Sequence, residues 1–319
     1  MKLTLPAFKL IIFMLICGLQ TYAQPVITSN TVVGLGESAP VRFALGNFTP
    51  GTAGANVNHD FSQLQDDNMA FSWEALSPAA TAFSDSFPGA TLAFRTPVQM
   101  GSQESWVYYD WNATSQTLDF LGSAVVLQGA TQDTFFYVLT PDPKRVQTFP
   151  FTYGDSYTDS FNGRSTVTFG TFQVVQTRTG TITVEADAYG QLSTPAGTFQ
   201  NVLRIKTTEQ ITDTYLTSVT TQNITRYSWY SSDEKYLLLH MDSIVVQPAQ
   251  GPANTSISIF YRDGSPTVAL EDALVALGYR PNDARAAVDR ILTEQSDPVE
   301  LGTEEIVRMA LKNFGKQRA

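Results

Sequence analysis

Thiol chemistry is almost absent from this sequence. Its single cysteine, Cys17, lies in an apolar stretch near the amino terminus that we interpret below as a signal peptide. Because Ile16 rather than a small residue precedes it, lipoprotein cleavage at Cys17 is disfavoured. The mature chain would contain no cysteine, which excludes disulfides, thiolate nucleophiles and zinc sites built on cysteine.

Charged residues are also scarce, and acidic side chains outnumber basic ones. Charged residues make up 16% of the 319 residues, and 30 acidic against 20 basic side chains give a net charge of −10. This balance argues against a general affinity for nucleic-acid phosphates. Hydrophobic residues make up 43%, which provides for a core and excludes disorder over most of the chain. At about 150 residues per domain, the length predicts two domains.

Residues 1–23 have the parts of a signal peptide. Two lysines accompany an apolar run over residues 10–16, and the small residue Ala23 stands before Gln24. The run is shorter than the about 20 residues that span a bilayer. We therefore expect an exported protein that begins at Gln24 and lies in the periplasm, on the cell surface or outside the cell.

Residues 24–262 have the pattern of one large β-rich domain. The clearest strand covers residues 181–188, where apolar and polar residues alternate without a break. Its predicted inner face consists of Ile182, Val184, Ala186 and Ala188. Similar β-branched or aromatic runs recur along the domain, and no helical period separates them. The runs are residues 71–76, 106–111, 118–127, 135–139, 166–175, 202–207, 224–230, 236–246 and 257–261. This pattern predicts an antiparallel sandwich or open barrel.

One segment of this domain has the features of a hairpin. In residues 189–204, Pro195 suits the second position of a tight turn and Gly197 the fourth. The surrounding region, residues 170–262, resembles a recurring part of secreted and surface proteins of Gram-negative bacteria. The resemblance implies export and no particular activity.

Residues for chemistry are few in the β-rich domain, which has two histidines. His240 lies in a strand run, where a structural role is the more common one. His59 lies in a predicted Gly/Asn-rich loop without an HExxH or GxSxG context. Asp155, Asp159 and Asn162 resemble a calcium loop, but their spacing misses the alternate ligands of an EF-hand. We predict no catalytic residue, no cofactor and no metal, and solvated turns for these acidic residues.

Aromatic runs are the best functional indication in the β-rich domain. In residues 106–111, alternation places Trp106 and Tyr108 on one face of a strand and two further rings on the other. Tyr227 and Trp229 repeat this arrangement. Exposed rings at strand spacing bind carbohydrate or anchor a protein partner, although rings in sheets more often belong to the core. We take these four residues as candidate exposed aromatics.

The last part of the chain changes to a helical pattern. Residues 263–267 form a Gly/Pro-containing linker, and residues 268–319 predict a small all-α domain of three helices. Gly278 ends the first helix, Pro281 lies in the first turn of the second, and Thr303 caps the third.

This helical unit resembles the carboxy-terminal domain of RuvA, the Holliday-junction branch-migration protein, which has a UBA-like three-helix fold. The matching residues are 273–281 (ALVALGYRP), Ala284, 287–288 and 306–312 (IVRMALK). In the family this domain docks through apolar residues onto the RuvB ATPase. The resemblance implies the candidate docking residues Leu274, Leu277, Tyr279, Ile306 and Leu311. Membership of the small helical core is the competing interpretation for each of them.

The remainder of the chain departs from that family. Residues 24–262 show neither helical hairpins nor a basic face, so no direct DNA binding is expected of them. No GxxxxGK[ST] loop is present to hold nucleotide phosphates. The leading hypothesis is a non-catalytic, exported β-rich binding or surface protein that carries a RuvA-like module. The alternatives are an accessory, non-ATPase subunit of the RuvA–RuvB helicase complex in DNA recombination and repair, a secreted glycosidase, and a chimeric reading frame.

Overall fold

The computed structural model describes residues 24–96, 102–127, 133–232 and 236–263, together with Leu274. Strands dominate this part of the chain. In chain order they are β1 (Val26–Ile27), β2 (Ser38–Leu45), β3 (Gly54–Asp60), β4 (Gln65–Leu76), β5 (Leu92–Arg95), β6 (Ser102–Asn112), β7 (Thr117–Leu127), β8 (Thr134–Asp142), β9 (Lys144–Thr148), β10 (Phe151–Thr152), β11 (Ser156–Phe169), β12 (Phe172–Thr194), β13 (Gly197–Tyr215), β14 (Ser218–Ser231), β15 (Leu237–Gln247) and β16 (Asn254–Arg262). Three short 3-10 turns accompany them, at Ser29–Thr31, Pro78–Ala80 and Ser84–Ser86. Within the described ranges, no helix is long and apolar enough to cross a membrane.

Twelve of the strands form one closed antiparallel barrel. The order around it is β11-β8-β7-β6-β5-β4-β2-β16-β15-β14-β13-β12, and β12 pairs back onto β11. The pairing of β2 with β16, which places Phe43 opposite Phe260, joins the two ends of the described sheet. The mainly β, antiparallel prediction is confirmed, but the sheet is neither a sandwich nor open, because every strand of this ring has two neighbours.

The remaining strands lie beside this ring. The strand β3 pairs in parallel with the far half of β12, β9 pairs with β7, and β1 pairs with β10. The short pairing of β1 brings Ile27 into the apolar cluster inside the barrel.

The strand β12 shows how the sequence pattern becomes structure. Ile182, Val184 and Ala186 are at most 1% exposed, as the alternation predicted. A bulge follows Ala186, so Ala188 pairs with Arg204, and both lie on the outer face although both are buried. The bulge reverses the alternation because it inserts one residue into the strand. The prediction that all four residues share one inner face is therefore wrong for Ala188.

Turn chemistry accounts for the ends of β12. The predicted hairpin is confirmed, since Thr194 pairs with Gly197 across a two-residue turn. The predicted single run over residues 166–175 is wrong, because β11 ends at Phe169 and β12 begins at Phe172. Gly170 has a φ of +55° at this reversal, a conformation that favours glycine.

Apolar side chains are packed on both sides of the barrel wall. One cluster lies inside it and includes Phe161, Ile182 and Ile205. On the outside, the outer flap, residues 46–64, covers a cluster around Trp229 and Met241. The 3-10 segment, residues 77–91, covers a second outer cluster that includes Trp106 and Tyr108.

The predicted three-helix domain falls outside the described residues, except for Leu274. The backbone of Leu274 is helical and its side chain is fully buried.

Candidate functional site

One candidate site of the described residues is a cavity of about 520 Å³ inside the barrel. Ten of the twelve ring strands line it, all except β8 and β11, together with β9 and the segment that follows β1. Most of its wall is apolar, and it carries several aromatic rings: Trp73, Phe94, Tyr109, Phe120, Tyr230 and Phe260. Volumes of roughly 300–1,000 Å³ with mainly apolar walls and few polar groups are typical of sites for small organic ligands.

Three charged side chains form a cluster in the wall of this cavity. Lys144 Nζ donates to Glu209 Oε2 at 2.8 Å, and Arg226 Nη1 donates to Glu209 Oε1. The carboxylate of Glu209 is fully buried and has both oxygens occupied. We call this group the charged triad.

Burial opposes the ionisation of Glu209, but Arg226 and Lys144 outweigh it and lower the pKa of Glu209 to about 2. For Lys144 burial has the larger effect and lowers the pKa of its amine, although Glu209 opposes this. The ammonium also lies 4.7 Å from the centre of the Phe120 ring, where a cation is favourable. These contacts compensate for the cost of placing charge inside the barrel.

Arg226 lines the cavity and has hydrogen-bond donors that Glu209 does not use. Its side chain is 27% exposed although it lies inside the sheet. Its Nη1 is engaged by Glu209, whereas its Nε and Nη2 make no hydrogen bond to any residue in the described part of the chain. A guanidinium with an open edge is well suited to a ligand oxygen.

His240 and Asp242 line the cavity next to the triad. Ser228 Oγ lies 3.0 Å from His240 Nδ1, and His240 Nε2 lies 3.7 Å from Asp242 Oδ2. The His240 ring stacks on Phe260 at a centroid distance of 4.6 Å. Burial lowers the pKa of His240, although Asp242 opposes this, so the ring is neutral near pH 7. The sequence interpretation of His240 as structural missed its place in this wall.

The Ser228, His240 and Asp242 arrangement does not have the geometry of a hydrolytic triad. Opposite residues on β14 and β15 approach closely in any sheet, and 3.7 Å is too long for the hydrogen bond that orients a catalytic histidine. At this point β14 and β15 are each paired on both sides, so their backbone N–H groups are used by the sheet. Such groups cannot also stabilise an oxyanion.

A second buried ion pair lies further along the barrel interior. Arg178 donates to both oxygens of Asp213 at 2.7 and 2.6 Å, and its guanidinium lies 3.7 Å from the centre of the Tyr137 ring. Asp213 follows Glu209 by two inward positions on β13, and it also accepts from Gln222. Both oxygens of Asp213 accept hydrogen bonds and the guanidinium of Arg178 lies against Tyr137, so we assign this pair a structural role.

His59 belongs to a polar cluster beneath the outer flap. It lies on β3, so the prediction that it occupies a loop is wrong. Trp229 Nε1 donates to its Nδ1 at 3.2 Å, which leaves Nε2 to donate to the carbonyl of Thr52 at 3.0 Å. Burial, together with the nearby Arg204 cation, lowers the pKa of His59 and keeps the ring neutral.

Arg204 completes the polar cluster under the flap. It is 1% exposed and donates through Nε and Nη2 to both oxygens of Asp187 at 2.8 and 2.9 Å. Its Nη1 donates to the carbonyl of Pro50 at 2.7 Å. Every polar group in this cluster has a partner, so the cluster fastens the flap to the barrel wall and leaves His59 no open position for substrate.

The candidate exposed aromatics are mostly buried. Trp106, Tyr108 and Trp229 are 6%, 0% and 0% exposed, so the expectation of exposure is wrong for these three. Alternation does place Trp106 and Tyr108 on the outer face, but the 3-10 segment covers them, and Phe87 stacks on Tyr108 at 4.0 Å. The remaining candidate, Tyr227, is half-buried.

The acidic residues that resembled a calcium loop have separate structural roles. Asp155 is exposed in a turn and accepts from the Thr152 N–H, as the turn interpretation predicted. Asp159 lies on β11 and accepts from the Arg145 N–H, so the turn interpretation is wrong for it. Across the described ranges, no group of three metal-ligating side chains is present.

The candidate docking residues of the helical tail are only partly described. Leu274 is buried, as a core residue of a small helical domain would be. Leu277, Tyr279, Ile306 and Leu311 lie outside the described residues.

Comparison with known proteins gives one match, which lies in the tail. Residues 270–314 match the family RuvA, C-terminal domain, in agreement with the resemblance noted in the sequence. No curated protein and no solved structure is significantly similar to the chain. The family match leaves out the whole described barrel, so it assigns neither the fold nor the cavity of residues 24–263.

Proposed function

We propose that this chain is an exported, non-catalytic binding protein whose barrel takes up a small organic ligand, and that it carries a RuvA-type helical module. The observation that supports the binding role is the aromatic-walled cavity of about 520 Å³. Its charged groups are already balanced by one another, and ion pairs in such a wall orient a ligand rather than react with it.

The chemistry of Glu209, one of the two carboxylates that line the cavity, disfavours it as the acid of a glycosidase. A glycoside hydrolase needs one carboxylic acid with a raised pKa to protonate the leaving group. Glu209 instead has a pKa of about 2, because two cations share it.

Binding in the cavity can be tested with N-phenyl-1-naphthylamine, an uncharged dye whose fluorescence rises in apolar surroundings. We expect the full chain to bind the dye saturably, and Val107→Trp to weaken binding about tenfold or more, because Val107 lines the cavity and a larger ring would occupy it. The matched control is Val175→Trp, since Val175 is 44% exposed. Equal binding by both variants would contradict the cavity as the site.

Export can be tested in the native host by cell fractionation with antibodies against both parts of the chain. We expect one intact band outside the cytoplasm whose amino terminus is Gln24. A full-length band in the cytoplasm that retains Met1 would contradict export. Two separate bands would indicate a chimeric reading frame, and a genomic read across codons 255–275 would locate the junction.

The family match at residues 270–314 favours a second candidate function, docking of the helical module on the RuvB ATPase. We expect the full chain to bind RuvB, and Leu277→Ala or Tyr279→Ala to weaken this binding about tenfold. Leu216→Ala is the matched control, because Leu216 is 83% exposed at the turn after β13. Absence of binding at high micromolar concentration would contradict this role.

A further inference from the structure

We infer that the cavity selects an uncharged amphipathic molecule, with an apolar or ring-bearing body and an acceptor oxygen that binds Arg226. This inference rests on the proposed binding function and adds the chemical class of the ligand. It depends on three observations, namely the wall of rings, the open edge of Arg226 and the charge balance of the polar groups.

The side chains that line the cavity indicate the polarity and shape of the main part of the ligand. The rings of Trp73, Tyr109 and Phe260 line the cavity, together with aliphatic side chains such as Val107. Aromatic faces and edges favour a flat or ring-bearing apolar body over a sugar or a peptide backbone, which would bring many polar groups to a wall with few partners for them.

Arg226 determines where the polar end of the ligand lies. Its guanidinium reaches the cavity with Nε and Nη2 not hydrogen-bonded to any described residue, while Glu209 fixes its other side. A donor pair held in this way favours a ligand that brings an acceptor such as a ketone, ester or amide oxygen. A purely apolar ligand would leave these donors without water and without a partner.

Charge balance distinguishes an uncharged ligand from an organic acid. The charged residue types that line the cavity are two basic ones, Lys144 and Arg226, and two acidic ones, Glu209 and Asp242, so their formal charges sum to zero. His240 is neutral and contributes nothing to this sum near pH 7. A carboxylate ligand would therefore add one uncompensated negative charge to an interior of low dielectric constant, and would meet Asp242 across from Arg226.

The test compares three naphthalenes of similar size by displacement of N-phenyl-1-naphthylamine from the full chain at pH 7.5. These are 2-acetylnaphthalene, which has an uncharged acceptor, 2-naphthoate, which is anionic, and 2-ethylnaphthalene, which has no acceptor. We expect the ketone to bind about tenfold more tightly than either of the others, since a hydrogen bond to a charged donor has about this effect.

Arg226→Lys tests the role assigned to the open edge of Arg226. Lysine keeps the positive charge for Glu209 but lacks the second donor edge, so the preference for the ketone over 2-ethylnaphthalene should fall below about twofold. Arg145→Lys is the matched control, because Arg145 pairs with Asp119 and does not line the cavity. It should keep the full preference.

The outcomes separate this inference from the proposed function. Tighter binding of 2-naphthoate than of the ketone would overturn the inference and make the cavity a site for organic acids. Equal binding of the ketone and 2-ethylnaphthalene would overturn the role of Arg226 alone. Failure of the dye and of all three compounds to bind would overturn the proposed function and the inference together.

Discussion

Replacement of Glu209 by glutamine tests whether the charged triad stabilises the barrel. The side chain of Glu209 is fully buried, and its pKa falls from 4.5 to about 2 on folding. At 1.36 kcal/mol per pKa unit, this shift corresponds to about 3 kcal/mol of stability at pH 7, as an order of magnitude. The Glu209→Gln variant should lose about this amount, because it leaves Lys144 and Arg226 without their shared anion.

The loss should depend on pH in a defined direction. A carboxyl whose folded pKa is depressed contributes its stability above the unfolded pKa of 4.5 and loses it as the pH falls toward 2. By pH 3 the difference between wild type and Glu209→Gln should shrink to about half of its value at pH 7 or less, since the wild-type carboxyl is then protonated in the unfolded chain.

Urea denaturation of both proteins at pH 7, 5.5, 4 and 3, followed by circular dichroism, measures this difference. Glu185→Gln is the matched control, because Glu185 is exposed on β12, and its free energy of unfolding should stay within about 0.5 kcal/mol of wild type. Equal stability of Glu209→Gln and wild type at pH 7 would refute the argument. So would a difference that keeps its full size at pH 3.

Further predictions concern other parts of the barrel. Burial lowers the pKa of both His59 and His240 from 6.5, so the unfolded chain binds protons at a higher pH than the folded chain does. The free energy of unfolding, measured by urea denaturation, should therefore fall as the pH drops from 6.5 toward 5. Gly122→Ala should cost at least about 3 kcal/mol, because its Cβ would lie 1.9 Å from a carbonyl oxygen, whereas Gly154→Ala, in open space, should cost about 1 kcal/mol in the same assay. Trp229→Phe removes the donor to His59 and should lower the free energy of unfolding by about 1–3 kcal/mol.

Local sequence patterns predicted much of the sheet, because a strand is largely determined by its own alternation. The inner face of β12 at Ile182 and Val184 and the turn at Pro195 follow from residues within a few positions of one another. Closure of the barrel depends instead on β2 and β16, whose residues Phe43 and Phe260 are far apart in the chain. The runs identified in the sequence did not include β2, which contains Pro40, and alternation alone carries no information on such a distant partner.

The exposure of aromatic residues could not be predicted from alternation either. Alternation assigns Trp106 and Tyr108 correctly to one face of β6, but it does not reveal that residues 77–91 return to cover that face. In the same way, the position of His59 depends on β3 pairing in parallel with β12 outside the ring. Glycine and asparagine around His59 indicated a loop, whereas pairing with an existing strand was sufficient to make this segment extended.

A signal for the cavity was present in the sequence, in the inward positions of two strands. On β13 the inward residues are Ile205, Thr207, Glu209 and Ile211, so a glutamate stands in a row that otherwise faces the core. A charge in such a row must meet an opposite charge on a neighbouring strand, because an unpaired carboxylate inside a protein is strongly unfavourable. Arg226, between the inward residues Ile224 and Ser228 of β14, meets this requirement. Inward charges on adjacent strands thus indicate a polar interior, whereas the size of the space beside them depends on side chains from ten of the twelve ring strands.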